Sequence, residues 1–135
     1  MKRRVLIVDD DAEITQGLGQ QLDATNGYET MGVTEALHVI PTARTWRPDV
    51  ILLDLLLPKM NGSEIARRLA ADPALQKVPL IFMTVAVTED AAARAGIIGP
   101  HRFLTKPIHL HELLLNIEAA CSETAYDRPA ESQAA

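Results

Sequence analysis

Residues 48–62, Pro48-Asp49-Val50-Ile51-Leu52-Leu53-Asp54-Leu55-Leu56-Leu57-Pro58-Lys59-Met60-Asn61-Gly62, are apolar from Val50 to Leu57 except for one carboxylate, Asp54. A continuous apolar run with proline on either side reads as a strand buried on both faces, as in a parallel sheet. An ionised Asp inside such a strand would cost several kcal/mol if left unpaired. The cost falls away if the strand ends there. Asp54 is therefore expected at the carboxyl edge of the sheet, where open α/β folds place their ligand sites.

The flanking sequence repeats this strand-then-polar pattern. Val5-Leu6-Ile7-Val8 is a short apolar strand that runs into Asp9-Asp10-Asp11. Ile14, Leu18 and Leu22 follow at helical spacing, so the acids stand at a strand-to-helix junction. Asp10 and Glu13 have capping-box spacing, which accounts for one of the three aspartates and not for the other two. Asn26-Gly27 turns the chain into a second strand, Tyr28 to Val33. Thr34 is expected to cap a helix beginning Glu35-Ala36-Leu37, which Pro41 should break or kink. Trp46 is expected to pack at that helix's end.

After the Asp54 strand, Asn61 and Glu64 have capping spacing, and Ile65 and Leu69 give the next helix its buried stripe. Asp72-Pro73 ends it. Val78 to Val85 is a fourth strand, interrupted only by Thr84. Thr88 can cap a short alanine-rich helix that Gly96 stops. Arg102 to Thr105 is a fifth strand followed by Lys106-Pro107, and Leu110, Leu113, Leu114 and Ile117 mark a last amphipathic helix. Cys121 falls on that apolar stripe. Lys2-Arg3-Arg4 reads as a solvated start to the first strand. Residues 1–121 form one domain in this reading, and 122–135 a disordered tail or linker stump.

Five strands alternating with five helices call for a doubly wound α/β domain with a parallel sheet, and 2-1-3-4-5 is the common strand order. The chain has 135 residues, one cysteine, 4% aromatic residues and a formal charge of −5. Aliphatic side chains must then carry the core. The acidic balance argues against general nucleic-acid binding, and the lone cysteine excludes an internal disulfide. The N-terminal apolar run stops at Val8 and meets three aspartates, so it is neither signal peptide nor membrane span, and a cytoplasmic protein is expected.

In a parallel sheet the carboxyl ends of the strands share one edge. That places Asp9, Asp10, Asp54, Thr84 and Lys106 together. Three like charges in one place raise one another's pKa values. A hard divalent cation with oxygen ligands resolves the repulsion, and Mg²⁺ suits a shallow site that keeps waters. A carboxylate framed in this way can act as a nucleophile in aspartyl-phosphate chemistry, with Mg²⁺, Lys106 and the Thr84 hydroxyl stabilising charge on the transferring group.

The sequence resembles the response-regulator receiver (CheY-like) family of two-component signalling. The pieces that carry the resemblance are Val5-Leu6-Ile7-Val8-Asp9-Asp10, Pro48 to Gly62, Phe82-Met83-Thr84 and Phe103-Leu104-Thr105-Lys106-Pro107. The resemblance implies that Asp54 accepts a phosphoryl group from a sensor histidine kinase or phosphotransfer protein. It implies that Asp9, Asp10, Asp54 and the Leu56 backbone carbonyl hold Mg²⁺, for which Mn²⁺ can substitute. It implies a switch pair, Thr84 and Phe103, that repacks the surface of the fourth helix, fifth strand and last helix. The output would be a downstream protein or fused domain, with the receiver a monomer or a phosphorylation-dependent homodimer that turns over no external substrate.

Three residues depart from the family pattern. Val85 stands where a small alanine is usual, His109 stands at a helix-cap position where Asp or Ser is typical, and Pro41 makes the second helix irregular. The competing readings fare less well. An aspartate-nucleophile phosphatase of the haloacid-dehalogenase type would carry an acid two positions after the nucleophile, where this chain has Leu56. A flavin or nucleotide site would carry a glycine-rich loop after the first strand, where this chain has three aspartates. A phosphorylation-independent docking module is the alternative.

Overall fold

The structure, a computed structural model, describes residues 2–85 and 102–124. The element order is β1 (Arg3–Val8), α1 (Ala12–Asp23), β2 (Tyr28–Val33), a 3-10 turn (Ala36–His38), α2 (Val39–Trp46), β3 (Val50–Asp54), α3 (Gly62–Ala71), β4 (Leu80–Thr84), β5 (Arg102–Thr105) and α4 (Leu110–Thr124). The five strands form one sheet in the order β2-β1-β3-β4-β5, and every pair is parallel. This is the doubly wound, flavodoxin-like arrangement expected from the alternation of strands and helices. The alanine-rich helix expected between the fourth and fifth strands lies outside the described residues.

The apolar strands are apolar because both sheet faces are covered. Successive side chains of a strand point to opposite faces. Leu6, Val8, Ile51, Leu53 and Phe82 therefore pack with Val39 and Ala43 of α2 and Ile65 and Leu69 of α3. Val5, Ile7, Leu52, Ile81 and Met83 pack with Leu18 and Leu22 of α1 and Leu113 and Ile117 of α4. Ile51, Leu52 and Leu53 are completely buried, and each such side chain contributes roughly 1.5–3 kcal/mol relative to exposure. Trp46 is half-buried at the end of α2, with the Arg4 guanidinium 5.6 Å from its ring centroid.

Five local expectations are corrected. The cap of α1 is Asp11, whose side chain accepts from the Glu13 amide at 2.9 Å, so Asp10 is not spent on capping. Thr34 caps no helix: residues 36–38 form a 3-10 turn that no side chain caps, and α2 starts at Val39. That start puts Pro41 in the first turn of α2, where its missing N–H costs no helical hydrogen bond, so proline neither breaks nor kinks it. Arg3 and Arg4 are not merely solvated. Arg3 pairs with Glu118 of α4 at 3.0 Å, and Arg4 Nη1 donates to the Trp46 carbonyl at 2.6 Å. Finally, α4 runs past Ser122 to Thr124. Residues 125–135, the rest of the expected tail, lie outside the described residues.

The capping of α3 follows the sequence. Asn61 Oδ1 accepts from the Glu64 amide at 3.0 Å, and the helix stops before Asp72-Pro73.

Candidate acidic site at the carboxyl edge of the sheet

Parallel pairing brings the ends of β1, β3, β4 and β5 to one edge, and the polar residues that follow each strand meet there. Oxygen atoms of Asp9, Asp10 and Asp54 lie within 4.8 Å of one another. Asp9 and Asp54 are buried, at 1% and 4% exposure, while Asp10 is exposed. Lys106 reaches across from the end of β5, and its Nζ donates to Asp9 Oδ2 at 2.6 Å and to Asp54 Oδ2 at 3.2 Å.

The remaining oxygens are also held. Asp9 Oδ1 accepts from the Asp11 amide at 3.0 Å, and Asp54 Oδ1 accepts from the Leu56 amide at 3.1 Å. The Leu56 side chain points away, 67% exposed, so this residue serves the site through its backbone. The loop that carries it is fastened at both ends. The Leu55 amide donates to the Met83 carbonyl at 3.1 Å, and the Gly62 amide donates to the Leu55 carbonyl at 2.9 Å. Gly62 had no assigned role in the sequence. In the fold a Cβ there would lie 2.6 Å from the Asp54 carbonyl oxygen, so only glycine lets α3 start so close to β3. A glycine closing an apolar strand-and-loop run was the available signal.

Thr84 is buried at the end of β4, and its carbonyl accepts from the Lys106 amide at 2.8 Å. The Lys106-Pro107 peptide is cis. Phe103 lies back along β5, half-buried and stacked on its register partner Phe82 with ring centroids 5.4 Å apart. Of the residues singled out in the sequence, Asp9, Asp10, Asp54 and Lys106 thus converge directly. Thr84 stands at the adjoining strand end, and Phe103 belongs to the neighbouring core.

Burial raises the Asp54 pKa. The Leu56 amide works against that rise, the Asp9 charge adds to it, and Lys106 opposes it, but the net shift is upward. Burial would lower the Lys106 pKa, yet its hydrogen bond to Asp9 and the charges of Asp54 and Asp9 outweigh this and the shift is upward. The two partners move in the same direction because burial dominates at Asp54, with the Asp9 charge adding to it, whereas at Lys106 two carboxylates outweigh burial. The site is thus short of positive charge. Its donor set, three carboxylates at one edge, fits a hard divalent cation.

Residues 5–118 match the profile of the response regulator receiver domain, and the chain belongs to that family. The family is the CheY-like receiver of two-component systems, in which phosphorylation and Mg²⁺ binding at an acidic pocket are general features. Among curated relatives, the chain is 34% identical over 134 residues to the phosphate regulon transcriptional regulatory protein PhoB of Pseudomonas aeruginosa, covering 98% of this chain and 56% of PhoB. It is 34% identical over 132 residues to the DNA-binding response regulator MtrA of Mycobacterium tuberculosis H37Rv, covering 97% of this chain and 55% of that protein. The chain therefore spans about half the length of these relatives. The polar-differentiation response regulator DivK of Brucella anthropi is 31% identical over 119 residues, covering 88% of this chain and 96% of DivK.

Among solved structures, the chemotaxis protein CheY4 of Vibrio cholerae superposes with a TM-score of 0.81 at 24% identity, covering 89% of this chain and 99% of that one. The signal receiver domain of a histidine kinase from Syntrophus aciditrophicus superposes at 0.80 with 27% identity, covering 95% of this chain and 96% of that one. Among the described residues, no helix is long and apolar enough to cross a membrane.

Proposed function

We propose that the chain is a phosphoryl-accepting receiver in which the Asp54 carboxylate takes the phosphoryl group. The observation that carries this reading is the position of Asp54: buried at the end of β3, within 4.8 Å of two further carboxylates and 3.2 Å from an ammonium. An Asp54 oxygen attacks phosphorus of a phosphohistidine on a sensor kinase or phosphotransfer protein. The O–P bond forms as the N–P bond breaks, and the imidazole leaves with the electron pair and is protonated from solvent. Asp9, Asp10, Asp54 and the Leu56 carbonyl would hold Mg²⁺ (or Mn²⁺), which when bound offsets negative charge on the transferring group. Lys106 exchanges its bond to Asp54 for one to a phosphoryl oxygen, and the Thr84 hydroxyl donates to another.

Occupation of Asp54 biases a two-state equilibrium, with Thr84 and Phe103 as the moving parts. The β4–β5 ladder supports this role, because it ties Thr84 to Lys106 and Phe82 to Phe103. The output is a protein contact, made to a separate partner or a fused domain, as a monomer or as a dimer formed on phosphorylation. The domain acts in the cytoplasm and catalyses only the gain and loss of its own phosphoryl group.

The test is the intact mass after incubation with acetyl phosphate, with and without Mg²⁺, for wild type and Asp54→Ala. A Mg²⁺-dependent gain of one phosphoryl group, absent from the variant, is expected. No adduct on folded wild-type protein, or an adduct retained by Asp54→Ala, overturns the assignment.

A further inference from the structure

We infer that the open edge of the sheet, with the groove between α1 and β2, is a docking surface for an extended basic segment of a partner protein, which adds to β2 as a further strand. The surface lies along the β2 side of α1 and reaches Ala12 and Thr34 at its upper end. Three observations carry it.

The first is the backbone. β2 is the edge strand, paired only with β1. The Arg3 amide donates to the Gly27 carbonyl and the Asp9 amide to the Val33 carbonyl. In a parallel ladder alternate residues turn both their N–H and C=O to the same neighbour. The odd-numbered residues of β2 therefore serve β1, and Thr30 and Gly32 turn theirs outward. These outward groups have no backbone partner among the described residues. An unpaired edge of this kind is what strand addition uses.

The second is space. A groove of about 490 Å³ runs beside this edge, lined among others by Gln16, Gly19, Gln20, Asp23, Thr30 and Gly32. Its lining is polar, and Asp23 Oδ1 is already oriented by the Thr30 hydroxyl at 3.1 Å. Side chains on one face of an added strand would enter this groove. On the other face they would meet Glu29 and the partly exposed Met31.

The third is charge, and it selects the occupant. Between Arg4 and Arg44 the sequence contains no lysine or arginine, while Asp11, Glu13, Asp23 and Glu29 all fall on α1, its cap and β2. The nearest cation on the strand side, Arg4, approaches Glu29 at 3.6 Å, and its guanidinium also serves the Trp46 carbonyl. A second copy pairing edge to edge would bring acids against acids. A lysine- or arginine-bearing strand brings complementary charge, and a polar groove suits its long side chains.

The test uses the 135-residue chain, isotopically labelled, and the fluorescent peptide acetyl-Lys-Thr-Lys-Val-Lys-Thr-Lys-amide, with a control in which every Lys is Glu. The basic peptide is expected to bind and to shift amide signals of residues 12–23 and 28–34, while the acidic control does not bind. Asp23→Lys, a substitution at an exposed helix end, should weaken binding about tenfold through charge reversal. Thr30→Pro should abolish binding while keeping β1–β2 pairing, since Pro at 30 removes an outward N–H only. If Thr30→Pro fails to fold, Asp23→Lys and the signal map decide alone. Equal binding of the acidic peptide, signal shifts centred on Asp9, Asp10 and Asp54, or unchanged affinity in Asp23→Lys would overturn the inference. So would a concentration-dependent dimer held through the β2 edge.

Discussion

Gly62 and Asp54 meet through backbone alone: a Cβ on Gly62 would stand 2.6 Å from the Asp54 carbonyl oxygen and 2.8 Å from Leu55 Cα. No side-chain rotation relieves such a contact, because both obstacles are main chain. Gly62→Ala must push the start of α3 away from β3, at a cost of about 1–3 kcal/mol. Urea unfolding should show that loss, and acetyl-phosphate labelling of Asp54 should slow with it. Gly17, inside α1 with nothing within 4 Å of its would-be Cβ, is the counterpart. Gly17→Ala should stabilise the domain by about 0.5–1 kcal/mol through helix propensity. A stable, normally labelled Gly62→Ala would contradict the close-approach account.

Asp54→Asn should raise the melting temperature of the metal-free protein at neutral pH. Burial, with the Asp9 charge, lifts the folded pKa of Asp54 above its unfolded value. The folded state then holds the proton more tightly, and stability is lost as pH rises through the interval between the two values. The variant escapes this loss, so its advantage should be present at pH 7 and vanish in acid below the ordinary carboxylate range. Thermal melts across pH check it, and an equal advantage at every pH would point to a cause other than ionisation.

Glu118 should show the opposite slope. Its hydrogen bond to Arg3 holds its pKa down, burial works against this, and the Tyr28 hydroxyl, donating at 2.7 Å, adds to the lowering. A depressed folded pKa stabilises the protein above the unfolded value, and that contribution is lost as pH falls through the folded one. Glu118→Gln should be less stable than wild type at pH 7 and no less stable near pH 3. The effect is small, since Arg3 and Glu118 are both well exposed to screening water. Denaturant titration at the two pH values decides the matter.

Mg²⁺ should stabilise the wild-type fold by mass action, with the midpoint of thermal unfolding rising with the ion and returning on chelation. Asp10→Asn should weaken this response at least tenfold in Mg²⁺ concentration, because it removes one of three clustered carboxylates. Asp10 is exposed and caps no helix, so the variant should remain folded. An unchanged Mg²⁺ response would remove Asp10 from the proposed ligand set.

Much of this arrangement could be read from the chain because its determinants are local. Val50 to Asp54 announces a doubly covered strand by hydropathy alone, and the same pattern after Val8 and before Lys106 locates the shared edge. What could not be read depends on distant partners or on register within a turn. Arg3 and Glu118 are 115 residues apart, so nothing near the N-terminus foretells that pair. Asp10 and Asp11 are both competent caps, and the choice between them follows from Asp9, whose carboxylate takes the Asp11 amide and sets the turn. Pro41 misled for a similar reason. A proline disrupts a helix interior but not a first turn, and only the fold shows where α2 begins. Gly62 carried no visible role because its reason, the backbone of Asp54, becomes a neighbour only when the loop closes.

The run without lysine or arginine from residue 5 to 43 acts at a distance as well as on contact. The next part of the chain, residues 44–77, carries Arg44, Arg47, Lys59, Arg67, Arg68 and Lys77 against Asp49, Asp54, Glu64 and Asp72. Residues 5–43 carry seven carboxylates and no lysine or arginine, so the end of the sheet formed by β1, α1 and β2 is strongly acidic. Such a molecule turns in the field of a charged surface before touching it, within roughly the 8–10 Å over which salt at physiological strength leaves the field unscreened. Its first encounter with a strongly basic protein is therefore already oriented, and the rate of that encounter should fall as salt is added, even for partners whose final contacts are apolar.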